Sequence, residues 1–393
     1  MKPTVVSTFA GCGGLDLGFI QAGFDVIFAI DFFADAVNTY TKNIGNHIIC
    51  KDITKLQDSE IPDNFDILLG GFPCQGFSVS NNKRSMEDKR NFLYLELLRI
   101  LKTKQPKIFV AENVKGILSM ENGRVIQMIL NDFKEIGYNV TYKIMKASDY
   151  GVPQHRERVI IIGNRIGVEN KYPEITHGES HLFSPLLPYV NTKDVIGFLA
   201  DEPLTPRPFL IGNHVVYNHV ALADIETTKR KHDVSKSDVY NYLMEYKSKK
   251  TDEQIIKKFG KNSWFKSNGK NVIPNPAEWQ KLKEFFKFDD RMDKLVMETI
   301  SYPSKFKQMR IISKWDEPSD TITAQRPQIH PNKKRRLSVR ECAIIQTFPD
   351  NFVFYGATSS MYKQVGNAVP VKMANQIALS IKQMLNIPNK IEL

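Results

Sequence analysis

A cysteine, a glutamate and two arginines are the residues whose types and settings suggest chemistry. Cys74 follows Pro73 in the turn-rich segment GGFPCQGFS, directly after a fully apolar run, so its thiol should be displayed rather than packed. A thiol ionises near pH 8.5 and is only slightly ionised at neutral pH, yet it is the strongest nucleophile among the side chains, and a loop that leads into a helix lowers its pKa further. Most cysteines are structural, but here an acid ends the neighbouring run. Glu112, in VAENV, closes an apolar stretch where an isolated charge is costly, so it should face a polar ligand or be held protonated. Gln154, Arg156 and Arg158 in PQHRERV enter the same neighbourhood; their bland reading is surface ion pairing, and that of His155 is a solvated loop residue.

A second group is suited to holding a ligand. Gly11, Gly13 and Gly14 in FAGCGGLDLGF let backbone approach a ligand closely and open a helix whose N–H groups can meet an anion. The spacing is not GxGxxG, which argues against a nicotinamide enzyme. Asp31 ends the next apolar run, placed to accept bonds from ribose hydroxyls or to cap the following helix. Phe32 beside it is suited to stacking on a base or to the core, and Asp52 follows the third run.

The elements that position these residues are legible as short apolar runs alternating with amphipathic stretches, the pattern of an α/β domain with a parallel sheet covered on both faces. Strands are predicted at 4–9, 25–30, 47–50, 65–70, 107–112, 139–145 and 158–163. FLYLELLRILKTKQP supplies a crossover helix ending at Pro106, and RRLSVRECAIIQTFP and VKMANQIALSIKQML supply two late helices. Ligands bind outside the carboxyl ends of such strands, and five consecutive strands deliver glycines, acids or a thiol to that one edge. From about 170 to 325 the regularity fades, and prolines stand at 173, 185, 188, 203, 206 and 208. No internal repeat or low-complexity tract is evident.

At 393 residues two domains are expected. The net charge of +11 favours a polyanionic partner, and residues 226–315 hold 21 Lys or Arg against 12 Asp or Glu, which accounts for most of it. A merely solvated lysine-rich surface is the bland alternative. No apolar run approaches the roughly 20 residues that span a bilayer, and the start carries no secretory signal, so a cytoplasmic location is expected. Cys12, Cys50, Cys74 and Cys342 show no ligand-type spacing, so neither metal nor disulfide is expected.

Six blocks, FAGCGGLDLGF, GGFPCQGFS, ENV, QHRER, RRLSVRECAIIQTFPD and QVGNAVP, together resemble the C5-cytosine DNA methyltransferases in order and spacing over nearly the whole chain. TIT at 321–323 resembles the short signature that closes their variable target-recognition domain. The resemblance implies a doubly wound, mostly parallel Rossmann-like sheet with a second, smaller irregular domain: catalytic and S-adenosylmethionine-binding at 1–170, target recognition at 171–325, and a returning segment at 326–393. It implies that Phe9, Gly11, Gly13, Gly14 and Leu15 hold the methionine part of S-adenosylmethionine, with Cys12 a residue of that loop. Asp31 would bind the ribose, Phe32 and Ile53 would sandwich the adenine, Asp52 would take its amino group, and Pro73, Asn367 and Ala368 would complete the pocket. Cys74 becomes the nucleophile, Glu112 would contact the target base at N3, Arg158 would support the base and Glu112, and Arg156 would contact the DNA backbone. Ser78, Ser80, Lys83 and Arg84 in a lid-like loop, with Gln154 and Thr321, would meet double-stranded DNA, and KKRR at 333–336 its phosphates. A bacterial monomer is implied, methylating a flipped-out cytosine beside a possible cognate restriction endonuclease and releasing S-adenosylhomocysteine. An RNA methyltransferase and a non-catalytic DNA-binding relative are the alternatives; the basic middle region and the GGFPCQGFS form favour DNA.

Overall fold

The computed structural model describes residues 2–73, 93–179, 185–222, 242–243, 245–246, 250–259, 276–290, 293, 312–325, 327–332 and 335–385. Cys74, Ser78, Ser80, Lys83, Arg84, Lys333 and Lys334 lie outside them. The chain divides into two compact units, one of residues 1–222 with 312–393 and one of 223–311.

The first unit is built on a seven-stranded sheet. Its strands are β1 (Thr4–Thr8), β2 (Asp25–Asp31), β3 (Ile48–Cys50), β4 (Ile67–Gly70), β5 (Ile108–Val114), β6 (Asn139–Lys146) and, after the two-residue β7 (Gln154–His155), β8 (Glu157–Asn164). The order is β3-β2-β1-β4-β5-β8-β6, and every pairing is parallel except the two made by β8. Strand residues alternate between two cores, as a period of two requires. Val6, Leu68, Phe109 and Ile161 pack with Leu97 and Ile100 of α3 (Leu93–Lys104) and Ile129 and Phe133 of α4 (Arg124–Glu135). Val5, Ile67, Val110 and Ile160 face the other way, onto Phe19 of α1 (Gly14–Gln21) and onto Ile377 and Ile381 of a late helix, Val371–Met384. Each central strand is apolar on both faces because both are covered.

β5 and β8 run antiparallel with Glu112 opposite Ile160 and Val114 opposite Arg158. The amino end of β8 therefore arrives at the edge where the parallel strands deliver their carboxyl ends. Between β2 and β3 lies α2 (Ala34–Asn43).

The compact division falls at 222/223 and 311/312, inside the 171–325 span delimited by composition. Hydrogen bonding accounts for the difference. α5 (Thr192–Ile196) is tied to the chain beyond 312 by Thr192 N–H to Glu317 O and Lys193 N–H to Trp315 O, both 3.0 Å. Val339 N–H donates to Val220 O at 2.8 Å. The hairpin β9 (Phe209–Ile211) and β10 (His214–Val216) belongs to this unit, as does β11 (Ser319–Asp320), which pairs with β7. In the second unit, α6 (Asp252–Phe259) and α7 (Pro276–Phe286) are described, with Tyr242, Trp279 and Phe288 forming an aromatic cluster. The first unit closes with α8 (Val339–Ile345), α9 (Thr358–Asn367) and α10 (Val371–Met384).

Candidate active site

A cavity opens where β1, β2 and β3 end, lined by Phe9, Ile30, Asp31, Phe32, Lys51, Asp52, Ile53, Pro73 and Leu93. Six of the expected donor-binding residues are brought together there. Phe9 sits at φ 55°, a left-handed conformation costly for a bulky residue and the kind of strain that collects at ligand sites. The turn behind it is held by Ala10 N–H to Ile30 O at 3.1 Å and Gly13 N–H to Ala10 O at 2.9 Å. Asp31 accepts from Gly11 N–H and from Phe33 N–H, each at 2.8 Å, so it joins the glycine turn to the end of β2. Burial pushes its carboxyl above the ordinary value, opposed by those N–H groups. Each oxygen still has a lone pair for a ligand. Phe32 is 67% exposed, so its ring face is available for stacking, while Ile53, also in the lining, is buried. Asp52 accepts from Thr54 N–H and Oγ1, which fixes its orientation.

Gly13 and Gly14 do a different job: they admit neighbours. A Cβ on Gly14 would lie 2.6 Å from Val369 O and 3.0 Å from Ala368 Cβ. The returning segment is thus seated against the glycine turn, with Asn367 exposed beside it. Cys12 is buried, its thiol pushed up by burial and aimed at Gln364 O, a packing role.

The second focus is an ion pair. Arg158 Nε lies 2.7 Å from Glu112 Oε1, both side chains largely buried. The N–H is poorly aligned with the oxygen, so Glu112 Oε1 keeps unused hydrogen-bonding capacity. Asn113, next along β5, donates from Nδ2 to Phe72 O at 3.1 Å and so anchors the segment that leads into Cys74.

Gln154 and Arg156 lie in an interior seam, with Thr321 at its partly exposed margin. Gln154 is wholly buried: Nε2 donates to Gln346 Oε1 and Oε1 accepts from Ile322 N–H, both at 2.8 Å. Its amide is thus engaged inside the fold. Arg156 is 1% exposed, and its Nη1 donates to Ile322 O at 3.2 Å and to Gly366 O at 3.0 Å within the protein. Burial, then the like charge of Arg158, pushes its guanidinium well below the usual range. Thr321 Oγ1 donates to His155 O at 3.0 Å and remains partly exposed. Of the basic run near 335, Arg335 makes a buried two-bond pair with Glu341, whereas Arg336 is partly exposed and donates from Nη1 to Pro327 O.

The model of the C-5 cytosine-specific DNA methylase family matches residues 3–383. The chain belongs to this family. Among curated relatives, the Type II methyltransferase M.BspRI of Lysinibacillus sphaericus is 33% identical over 97% of this chain and 82% of its own length. M.NgoFVII of Neisseria gonorrhoeae, also a Type II methyltransferase, is 34% identical over 97% and 86%. The crystal structure of a protein encoded within an E. coli prophage superposes with a TM-score of 0.61 over 98% of this chain and all of that one; at 22% identity it bears on the fold alone. The protein is thus a DNA cytosine-5 methyltransferase with a Rossmann-like, mostly parallel sheet.

In the methylase three lining residues, Ile30, Lys51 and Leu93, escaped sequence reasoning. Lys51 flanks Asp52 and pairs with Glu60 at 2.7 Å; its adjacency to the strand-end acid was the available signal. Among the described residues no cluster of metal-ligating side chains occurs and no helix is long and apolar enough to cross a membrane.

Proposed function

We propose that the methylase transfers a methyl group from S-adenosylmethionine to C5 of a cytosine flipped out of duplex DNA, through a transient bond between Cys74 Sγ and C6. The observation that carries this reading is the Glu112–Arg158 pair, set at the same sheet edge as the cavity and beside the chain that enters the Cys74 loop. The cavity suits the donor: apolar walls from Phe9, Phe32 and Ile53 fit a flat base, and Asp31 and Asp52 offer acceptors for hydroxyl and amino groups. When bound, the donor supplies an electrophilic methyl on a sulfonium.

C5 of cytosine is a poor nucleophile. Addition of the Cys74 thiolate to C6, with Glu112 stabilising a proton at N3, makes C5 an enamine carbon able to take the methyl. Arg158 keeps Glu112 in place and completes the recognition of the base. Loss of the C5 proton and expulsion of Cys74 restore the ring. Thiolate attack needs the face of the base, which a stacked duplex hides, so the target leaves the helix at a cost of about a few kcal/mol.

Ser78, Ser80, Lys83 and Arg84 are assigned to a loop that meets DNA after Cys74, Thr321 to the target phosphate, and the basic stretch 223–311 to recognition of the DNA sequence. The Type II names of the relatives support a role in restriction and modification, with a cognate endonuclease acting on the same site. The test is incubation with DNA containing 5-fluorocytosine and labelled donor, since fluorine blocks the last elimination. A covalent complex with wild type that is absent in Cys74→Ala supports the mechanism; no complex with wild type, or an undiminished one in the variant, refutes it.

A further inference from the structure

Nine residues line the cavity, and the side chains of six of them offer only hydrocarbon or aromatic surface. Asp31 and Asp52 are acceptors. Lys51 is the one lining side chain that brings N–H groups, and nothing in the mechanism above uses it. It follows Cys50, which stands opposite Asp31 in the β2/β3 ladder, and its own backbone N–H donates to Asp31 O at 3.0 Å. Lys51 therefore lies one step past the last pair, level with Phe32, whose exposed ring is the stacking wall.

Glu60 fixes the ammonium. Its two carboxylate oxygens lie 2.8 and 2.7 Å from Lys51 Nζ, and Glu60 Oε2 also accepts from Gln57 N–H at 2.9 Å, which ties the acid to the short turn Asp58–Glu60. Two oxygens take at most two of the three N–H groups of an ammonium. Among the described residues no other acceptor bonds Lys51 Nζ, so the third N–H is left for a ligand. Both side chains are about a third exposed, and a pair in that setting adds little to folding. Asp52 is held in the same manner, by Thr54 N–H and Oγ1. Two consecutive residues thus present a fixed donor and a fixed acceptor to one cavity.

Adenine carries the matching pattern. Its 6-amino group is a donor, flanked by the acceptors N1 and N7. We propose that Lys51 is a specificity-determining residue of the donor cavity, whose ammonium donates to a ring nitrogen beside the adenine amino group that Asp52 accepts. The proposal rests on the assignment of the cavity to S-adenosylmethionine. Glu60 is absent from the lining and acts through Lys51, as a positioning residue.

The experiment is calorimetric titration of the full chain with S-adenosylhomocysteine and with its two analogues in which CH replaces N1 or N7 of the adenine. Wild type should bind at least one analogue roughly five- to tenfold more weakly than the parent, the order of a hydrogen bond from a charged group. Lys51→Met keeps the aliphatic stem and loses the N–H groups. It should bind the parent more weakly by a similar factor and no longer distinguish that analogue by more than about twofold. Its Tm should stay near that of wild type. Glu60→Gln leaves one oxygen to hold the ammonium and should reduce the discrimination without abolishing it; unchanged discrimination there overturns the part given to Glu60. Unchanged binding of the parent by Lys51→Met, or an equal loss for all three ligands, overturns the proposal. So does a wild type that binds the three alike, a comparison that needs no variant. Wild type that binds none of them removes the donor assignment itself.

Discussion

Arg158 reaches Glu112 diagonally across the β5/β8 ladder, two positions from the residue directly opposite, with Nε 2.7 Å from Oε1. Opposed residues in a ladder share a face, so Glu112, Ile160 and Arg158 all project to one side. A slip of one residue would send the two charges to opposite faces and break the pair. The apolar core beneath Ile160 holds the register, and the register holds the acid.

Glu112→Gln should lower kcat roughly 10²- to 10⁴-fold, the usual worth of a positioned acid–base group. Donor KM should stay near wild type, because Glu112 is absent from the cavity lining. Arg158→Lys should lose activity too, since one ammonium cannot serve Glu112 and the base as a planar guanidinium does. Single-turnover rates at saturating donor check both. A tenfold rise in donor KM without change in kcat would contradict the assignment.

Asp31→Ala should act in the opposite sense. It removes the acceptor for Gly11 N–H and Phe33 N–H as well as the groups offered to a ribose. Donor KM should rise by about tenfold or more, equivalent to at least one charge-assisted hydrogen bond. kcat at saturating donor should change less. Initial rates over a donor series distinguish this from global unfolding, which would reduce the active fraction and leave KM alone.

The strands, the crossover helix and the shared strand-end edge could be read from the chain because they rest on local features: fully apolar runs, helical spacing, and glycines where side chains cannot fit. The seam at Gln154 could not. Its partners lie 168 and 192 positions away, at Ile322 and Gln346, and a glutamine in a polar run looks like surface until the chain closes over it. The surroundings of Arg156 are hidden for the same reason: the carbonyls it donates to, at Ile322 and Gly366, come from other parts of the chain. β7 has only two residues, too few for any periodicity to mark.

The seam yields its own prediction. Gln346→Ala strips the partner from Gln154 Nε2, Val365 O and Ala368 O. Each buried group left unpaired costs about 1–3 kcal/mol, so Tm should fall by several degrees. Gln154→Ala should destabilise similarly while leaving the salt dependence of DNA binding unchanged, because no phosphate contact is removed. A shallower salt slope in that variant would return Gln154 to the DNA interface.

Stability should also depend on pH in two opposing ways. His219 and His330 lie beside the Arg335–Glu341 pair, and burial, the leading cause, lowers both imidazole pKa values although Glu341 pulls them up. A histidine whose folded pKa is depressed binds protons more readily when unfolded. The stability it confers is complete above the unfolded value near 6.5 and is lost as pH falls below it. Asp16 has the reverse sign. Its pKa is raised from 3.8 to about 6 in the fold, so its burial penalty is full above about 6 and is relieved progressively as pH falls from there toward 3.8. The two partly cancel in wild type. Urea midpoints measured from about pH 7.5 down to 5 should therefore fall more steeply in Asp16→Asn than in wild type, and less steeply in His330→Gln. Parallel curves for all three proteins would mean that these groups do not carry the linkage.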